Sequence, residues 1–415
     1  MTLIKKVFSF LLLVIAASCI DPYIPNLRNF KSMLVVEGLI SNENSSYKIK
    51  LSKTFKLQNT DPEKVIDAYV YITDGDGIKT VLQNCNNGSY KTDSTSFRGT
   101  IGQKYTLHIL TSDGKEYKSE ECTMLNNAGI DNLNYEKGQE VSGNPGVLYT
   151  GLRILLNSAA TQGEDQYYRW TFEEVWKTLV PGSQRYTYTW INATTCTFRA
   201  IPDRKEICWK RNYSGDILTN SVISAGQNNI TQQEIQFIKP ILSDRLTKEY
   251  SILVKQYSIS KKEFEFWNNL KKTGEAGGDI FASQPYAVIN NIHNVNDASE
   301  MVPGYFEVSA LSQKRIFIPT SELDPLHLPQ YRIDCTLINK SPDDYPEPKP
   351  TWDEIYHEFV DNGHYTFVYP IATAGTVLEG KVLTSSLIKF VFSSKACSMC
   401  ESPGFTTKPD YWIDL

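Results

Sequence analysis

His357, Asp361 and His364 stand at i, i+4 and i+7, a spacing that would set all three on one helical face. Two imidazoles and a carboxylate are a set that can hold zinc and leave one coordination position open for an activated water. Asn362-Gly363 falls between the second and third of them and is a helix stop, and no HExxH arrangement is present. The three therefore read as solvated or capping side chains, and no metal is expected. Asp353, Glu354 and Glu358 offer the paired carboxylates of a glycosidase. Such enzymes draw their two acids from separate elements across a cleft, whereas acids at the start of a helix favour its dipole. Asp74-Gly-Asp-Gly77 begins like a calcium loop but lacks the later ligands and the bidentate glutamate, so a hairpin turn is expected.

The thiols give a further set. Cys397-x-x-Cys400 has the spacing of a redox pair, which in such enzymes opens a helix on a thioredoxin-like sheet. Here it follows a strand-like stretch, 388–392, and precedes Pro403-Gly404; a structural crosslink holding the C-terminus is the expectation. Cys196 and Cys208 flank a turn-rich stretch and would staple a hairpin, although spacing does not fix connectivity. Among the eight cysteines, Cys19 is different. Lys5 and Lys6 precede an apolar run from Val7 to Ala17, and Ala16-Ala17-Ser18 lead into the cysteine. A basic start, a short apolar run and small residues at the cut make a secretory signal, and a cysteine at the cut makes it the signal of a bacterial lipoprotein, acylated on Cys19. The run is far shorter than the roughly 20 residues that span a bilayer. Setting Cys19 aside leaves an odd number of thiols for an exported chain in which disulfides can form.

The elements that must position these residues are mostly strands. Tyr and Phe number 24 and 18, and Thr and Val recur in short alternating runs. Tyr47, Ile49 and Leu51 alternate with lysines, as Ala68, Val70 and Ile72 and then Tyr105, Leu107 and Ile109 do with polar neighbours, so each run has one wet and one dry face. With Gly, Asp and Asn turns between them they predict a β-sandwich over 32–125, of Ig-like kind. Residues 1–18 are assigned to the signal peptide, 19–31 to a lipidated tether, and 131–415 to a larger β-rich domain. Three capping boxes, Thr231/Glu234, Ser260/Glu263 and Thr351/Glu354, predict helices near 232–239, 261–273 and 352–361. A net charge of −5, made two units more negative by loss of Lys5 and Lys6, argues against nucleic acid, which needs a basic face. No GxSxG elbow, P-loop or dinucleotide fingerprint occurs, so neither an enzyme nor a cofactor is expected.

Several phrases recur in a familiar order: Leu34-Val-Val-Glu-Gly-Leu-Ile40, Tyr167-Tyr-Arg-Trp170, Ser258-Ile-Ser-Lys-Lys-Glu-Phe264 with Phe266-Trp267 and Leu270-Lys271, then Phe281, Gln284-Pro285 and Asn291-Ile292. Gly304-Tyr305-Phe306, Lys314-Arg-Ile-Phe-Ile318, the Cys397/Cys400 pair with Gly404, and Lys408-Pro-Asp-Tyr-Trp412 follow. The chain resembles the Bacteroidota lipoprotein family catalogued as domain of unknown function 4249. Asn290, where glycine would precede Asn291, and Ser398-Met399 depart from the family pattern. The resemblance implies a prealbumin-like N-terminal sandwich, an outer-membrane lipoprotein and a TonB-dependent receptor as partner, with no settled reaction. The expected role is a non-catalytic accessory or cargo-binding lipoprotein of such a receptor, on the surface or periplasmic face. The alternatives are a membrane-anchored hydrolase or metal-dependent enzyme, and a surface adhesion module. Trp267, Phe281, Tyr286, Tyr305 and Phe306 are candidates for a docking surface, since aromatic anchors dominate many interfaces; core packing would use the same residues.

Overall fold

A computed structural model describes residues 32–54, 62–141, 146–159, 164–180, 182–192, 195–201, 206–223, 229–276, 290–332, 335–373, 377–378, 381–398, 400 and 407–413. The chain is β-rich, with several sheets and a few short helices. The signal segment, Cys19, the tether, Phe281, Tyr286 and Gly404 lie outside the described residues.

The alternation read in the N-terminal runs builds two facing sheets. One has the order Gly304–Val308, Leu34–Ile40, Lys48–Lys53, Ser89–Lys91, Gln83–Asn84; the other runs Ile292–Asn294, Glu116–Ser119, Lys104–Leu110, Tyr69–Asp74, Lys79–Val81. Val36, Ile49 and Leu51 from the first meet Val70, Ile72, Leu107 and Ile109 from the second, all essentially inaccessible. At the Asp74 turn, Oδ1 of Asp74 accepts the amides of Asp76 at 3.0 Å and Ile78 at 2.8 Å, and Gly77 takes φ +80; it is a hairpin turn, as its residues predict.

These sheets are not complete by residue 125. After the strands of the second half the chain returns, and Ile292, Val302, Phe306 and Val308 enter the same core. Gly304–Val308 lies parallel to Leu34–Ile40, in the register Val36↔Gly304 to Ile40↔Val308. Gly304 has φ +111, and a Cβ there would fall on the Val36 carbonyl oxygen, so glycine is what lets the two backbones pair at this point. One residue later Ala310–Ile318 begins and pairs with Tyr250–Ile259. The chain thus crosses directly from one core to the next.

In that second core, Gln166–Leu179 is hydrogen-bonded to Tyr250–Ile259 on one side and to Ile207–Tyr213 and Leu218–Val222 on the other. A three-stranded sheet of Ile130–Val141, Leu148–Ala159 and Asn229–Ile238 packs Leu152 and Ile154 against Trp170, Ile252 and Val254. Two smaller sheets and the helix Trp352–Val360 enclose an aromatic core of Phe367, Phe390 and Phe392.

Two of the three predicted helices form. Lys261–Ala276 carries the reciprocal Ser260/Glu263 bonds, and Trp352–Val360 carries the Thr351/Glu354 box, with Asp361 as its C-cap. The third does not: 232–239 lies in the strand Asn229–Ile238, paired to Leu148–Ala159. Its register shifts twice, and Gln232 takes φ +53. These irregularities place Ile230, Ile235 and Ile238 inward, out of step with a period of two, and Thr231 and Glu234 lie along a paired strand instead of at a helix start.

The disulfides also differ from the expected pairs. Cys208 bonds Cys400, not Cys196, and Cys335 bonds Cys397. The Cys-x-x-Cys motif therefore does crosslink the C-terminal segment, but through two separate distant partners. Cys196 is fully buried beside Phe198 in the aromatic core.

Candidate functional site

A set of buried charged groups lies where the start of the helix Lys261–Ala276 meets the strand Gly304–Val308. The capping acid Glu263 is 2% exposed. Its Oε2 accepts the Ser260 amide at 2.6 Å, and its Oε1 accepts the Val308 amide at 3.2 Å. Glu307, also 2% exposed, accepts from Arg169 at 2.8 Å, from the Trp267 indole at 3.1 Å and from the Ser309 hydroxyl at 3.0 Å. The Arg169 guanidinium sits over the rings of Tyr257, at 4.6 Å, and Trp267, at 4.5 Å. Burial, and secondarily the charge of Glu307, push the Glu263 carboxyl up to about 8; the amides and hydroxyl that it accepts act the other way. Burial likewise pushes the adjacent Cys122 thiol up to about 12, which makes it a poor nucleophile. Buried carboxylates with one arginine can hold or exchange a proton, and every charged member of this set is spent on another.

Two further polar sets lie in the second core. Glu174, fully buried, accepts from Tyr250 at 2.7 Å and Asn212 at 2.8 Å and faces Arg245 at 3.3 Å. Asp244 accepts from the Trp176 indole at 3.0 Å and Lys210 at 2.7 Å. Open space lies elsewhere. A cleft of about 490 Å³ is bordered by Pro240, Thr320, Asp324, His327 and Tyr331, and one of about 510 Å³ by Ser32, Lys64, Asp113, Lys115 and Glu300. Glu300 is held by Lys115, Tyr117 and Asn294.

Residues 20–315 match the model of the family described as domain of unknown function (DUF4249). The chain belongs to that family. No curated protein matches it. Arg169, Glu263 and Glu307 all lie inside the DUF4249 span, and both disulfides and the 353–364 cluster depend on residues beyond it.

In this DUF4249 chain the residues singled out from sequence scatter. His357 faces Asp361 at 3.0 Å and Asp353 at 3.7 Å, all on the surface, and His364 follows the Gly363 turn, also exposed. Among the described residues no group of three His, Cys, Asp or Glu is placed to hold a metal. Glu354 serves as the capping acid, and Glu358 accepts from the Tyr345 hydroxyl at 2.7 Å. Of the aromatic candidates, Phe306 is fully buried in the sandwich core and Tyr305 is 6% exposed against Phe266; neither forms a surface, because the edge strand that carries them is covered on both faces, by the sandwich core and by the helix that bears Phe266. Trp267 is half-buried over Arg169. Trp412 of the tail packs edge-on to Trp209 and Phe317 and donates to Glu249 at 3.2 Å.

Sequence reading missed Arg169, Glu174 and Glu307, whose signal is a charged residue at an inward position of an otherwise apolar strand. Among the described residues, no helix is long and apolar enough to cross a membrane.

Proposed function

We propose that this chain is an outer-membrane lipoprotein, anchored through acylated Cys19, that acts as a non-catalytic accessory or cargo-binding partner of a TonB-dependent receptor. Its N-terminal sandwich would then be of the prealbumin-like, Ig-like kind. The observation that supports this reading best is the order along the chain. A lipoprotein signal ends at Cys19, and the β body begins at Leu34. Residues between them, fully extended, reach at most about 50 Å, which would keep the sandwich close to the mouth of a barrel in the same membrane. Buried ionisable groups serve packing and capping, and the exposed 353–364 cluster is not an arrangement that would activate water, so the hydrolase reading has no comparable support. An adhesion module differs from the accessory role only in its partner.

The test is a mild-detergent pull-down of the lipidated protein with mass spectrometry, beside a Cys19→Ser control. A stoichiometric TonB-dependent barrel, lost with the membrane fraction in the control, is expected. Recovery of the lipoprotein alone would overturn the accessory role, as would a hydrolytic activity abolished by alanine at His357, Asp361 and His364 with the fold retained.

A further inference from the structure

The outward face of the second sandwich sheet carries a row of aromatic and basic side chains. Its register places one residue from each of five strands in a single transverse row: Val81 opposite Tyr71, Tyr71 opposite His108, His108 opposite Lys118, and Lys118 opposite His293. At about 4.8 Å per strand, the row spans roughly 19 Å. Tyr71 and His108 stack at 4.5 Å with planes 4° apart. Tyr69 lies 5.6 Å from Tyr71 and is 43% exposed. The Lys79 ammonium stands 3.8 Å over the Tyr71 ring.

Lys79, Lys118 and His293 are exposed and have no carboxylate partner among the described residues, whereas Lys50, Lys53 and Lys104 elsewhere on the sandwich are bonded to Glu37, Glu63 and Glu121. Glu116 is the acid on the same strand as Lys118. Burial first, then Lys118, hold the His108 imidazole below its usual range, with Lys79 adding to this and Glu116 opposing it. Nδ1 of His108 is buried without a hydrogen-bond partner.

We propose that this face binds an anionic polysaccharide, laid across the strands along the Tyr71–His293 row. The exposed ring of Tyr69 packs against the C–H face of a sugar ring, since an aromatic face is electron-rich and the sugar's axial hydrogens are not. Tyr71, held between His108 and the Lys79 ammonium, positions that ammonium. The ammonium groups without a carboxylate partner meet the acidic substituents, which also explains how a chain of net charge −5, more negative still without Lys5 and Lys6, can attract a polyanion. A shallow row with charges on either side of an aromatic pair suits an extended repeating polymer better than a single small anion. The site lies apart from the Glu263 junction and does not depend on the receptor role, so each can fail without the other.

The experiment uses the chain from residue 19 onward with Cys19→Ser, measured by isothermal titration and glycan-affinity electrophoresis. The probes are polygalacturonate, neutral dextran and phosphatidylglycerol vesicles. Expected are binding to polygalacturonate and not to dextran, at least a tenfold loss with Lys79→Glu/Lys118→Glu, a several-fold loss with Tyr69→Ser, and weakening as salt is raised. All three substitutions are at exposed positions, and unchanged melting would show that the fold is kept. Absence of polygalacturonate binding, or binding indifferent to the charge reversal, would overturn the proposal. So would vesicle binding lost on charge reversal with polygalacturonate ignored, which would make the face a membrane contact.

Discussion

Glu263 caps its own helix at Ser260 and, with its other oxygen, accepts the amide of Val308 from the parallel sandwich strand at 3.2 Å. One carboxyl group thereby ties the helix of the second half to the sheet of the first. A lone carboxyl at this depth is costly to ionise, and Glu307 beside it adds repulsion.

That carboxyl makes stability depend on pH. In the unfolded chain Glu263 ionises near 4.5, while the folded protein holds its proton up to about 8. Between these values the native state binds more protons, so its stability is fullest below the lower one, falls as pH rises, and is lost above the upper one. The contribution is on the order of a few kcal/mol. Urea midpoints from pH 5 to 8.5 should fall with pH, and Glu263→Gln should flatten that slope. Parallel slopes in the two proteins would refute the assignment.

Arg169 and Glu307 are 10% and 3% exposed in their side chains. Arg169→Ala leaves a buried carboxylate unpaired and should cost about 3–5 kcal/mol. Arg169→Met with Glu307→Gln should cost clearly less than the two single changes added, a coupling that a double-mutant cycle in urea would read directly.

The Cys208–Cys400 bond closes a separation of 192 residues. Cys400→Ser should lower stability by about 2–4 kcal/mol. Peptide mapping without reductant should recover Cys208 joined to Cys400 and Cys335 joined to Cys397. A fragment linking Cys397 to Cys400 would contradict both bonds, and one linking Cys196 to Cys208 would contradict the first.

Alanine at His357, Asp361 and His364 together should shift stability by no more than about 0.5 kcal/mol per site, and zinc added to the parent chain should release no heat of binding. A submicromolar zinc site removed by the triple change would restore the metal reading.

Gly304→Ala places a methyl group on the Val36 carbonyl and forces φ +111 on a residue with a side chain. A loss of about 2 kcal/mol or more is expected, read as a lower melting temperature.

Local chemistry made much of this legible. The alternating strands, the Asp74 turn and the caps at Ser260 and Thr351 are short-range patterns, and each forms where its residues predict. What sequence could not disclose is non-local. Thr231 and Glu234 have the spacing of a capping box, yet both lie in the bulged strand Asn229–Ile238, whose partner is Leu148–Ala159. The motif at Cys397 and Cys400 gives no hint that its bonds go to Cys335 and Cys208. Arg169, Glu263 and Glu307 meet only because the chain comes back, and no spacing in the sequence marks that return. The Tyr71–His293 row is likewise a product of register: Tyr71, His108, Lys118 and His293 are far apart along the chain.

The parallel pairing of Gly304–Val308 with Leu34–Ile40 also sets a timetable. A chain that emerges N-terminus first, from a ribosome or an export channel, exposes Leu34–Ile40 long before the strand that covers its edge exists. Until residue 308 is out, that edge is an open template for another chain, and the protein must be shielded for most of its own synthesis. A truncation at residue 125 would make the unshielded state permanent, and aggregation, not a smaller folded domain, is what it should yield.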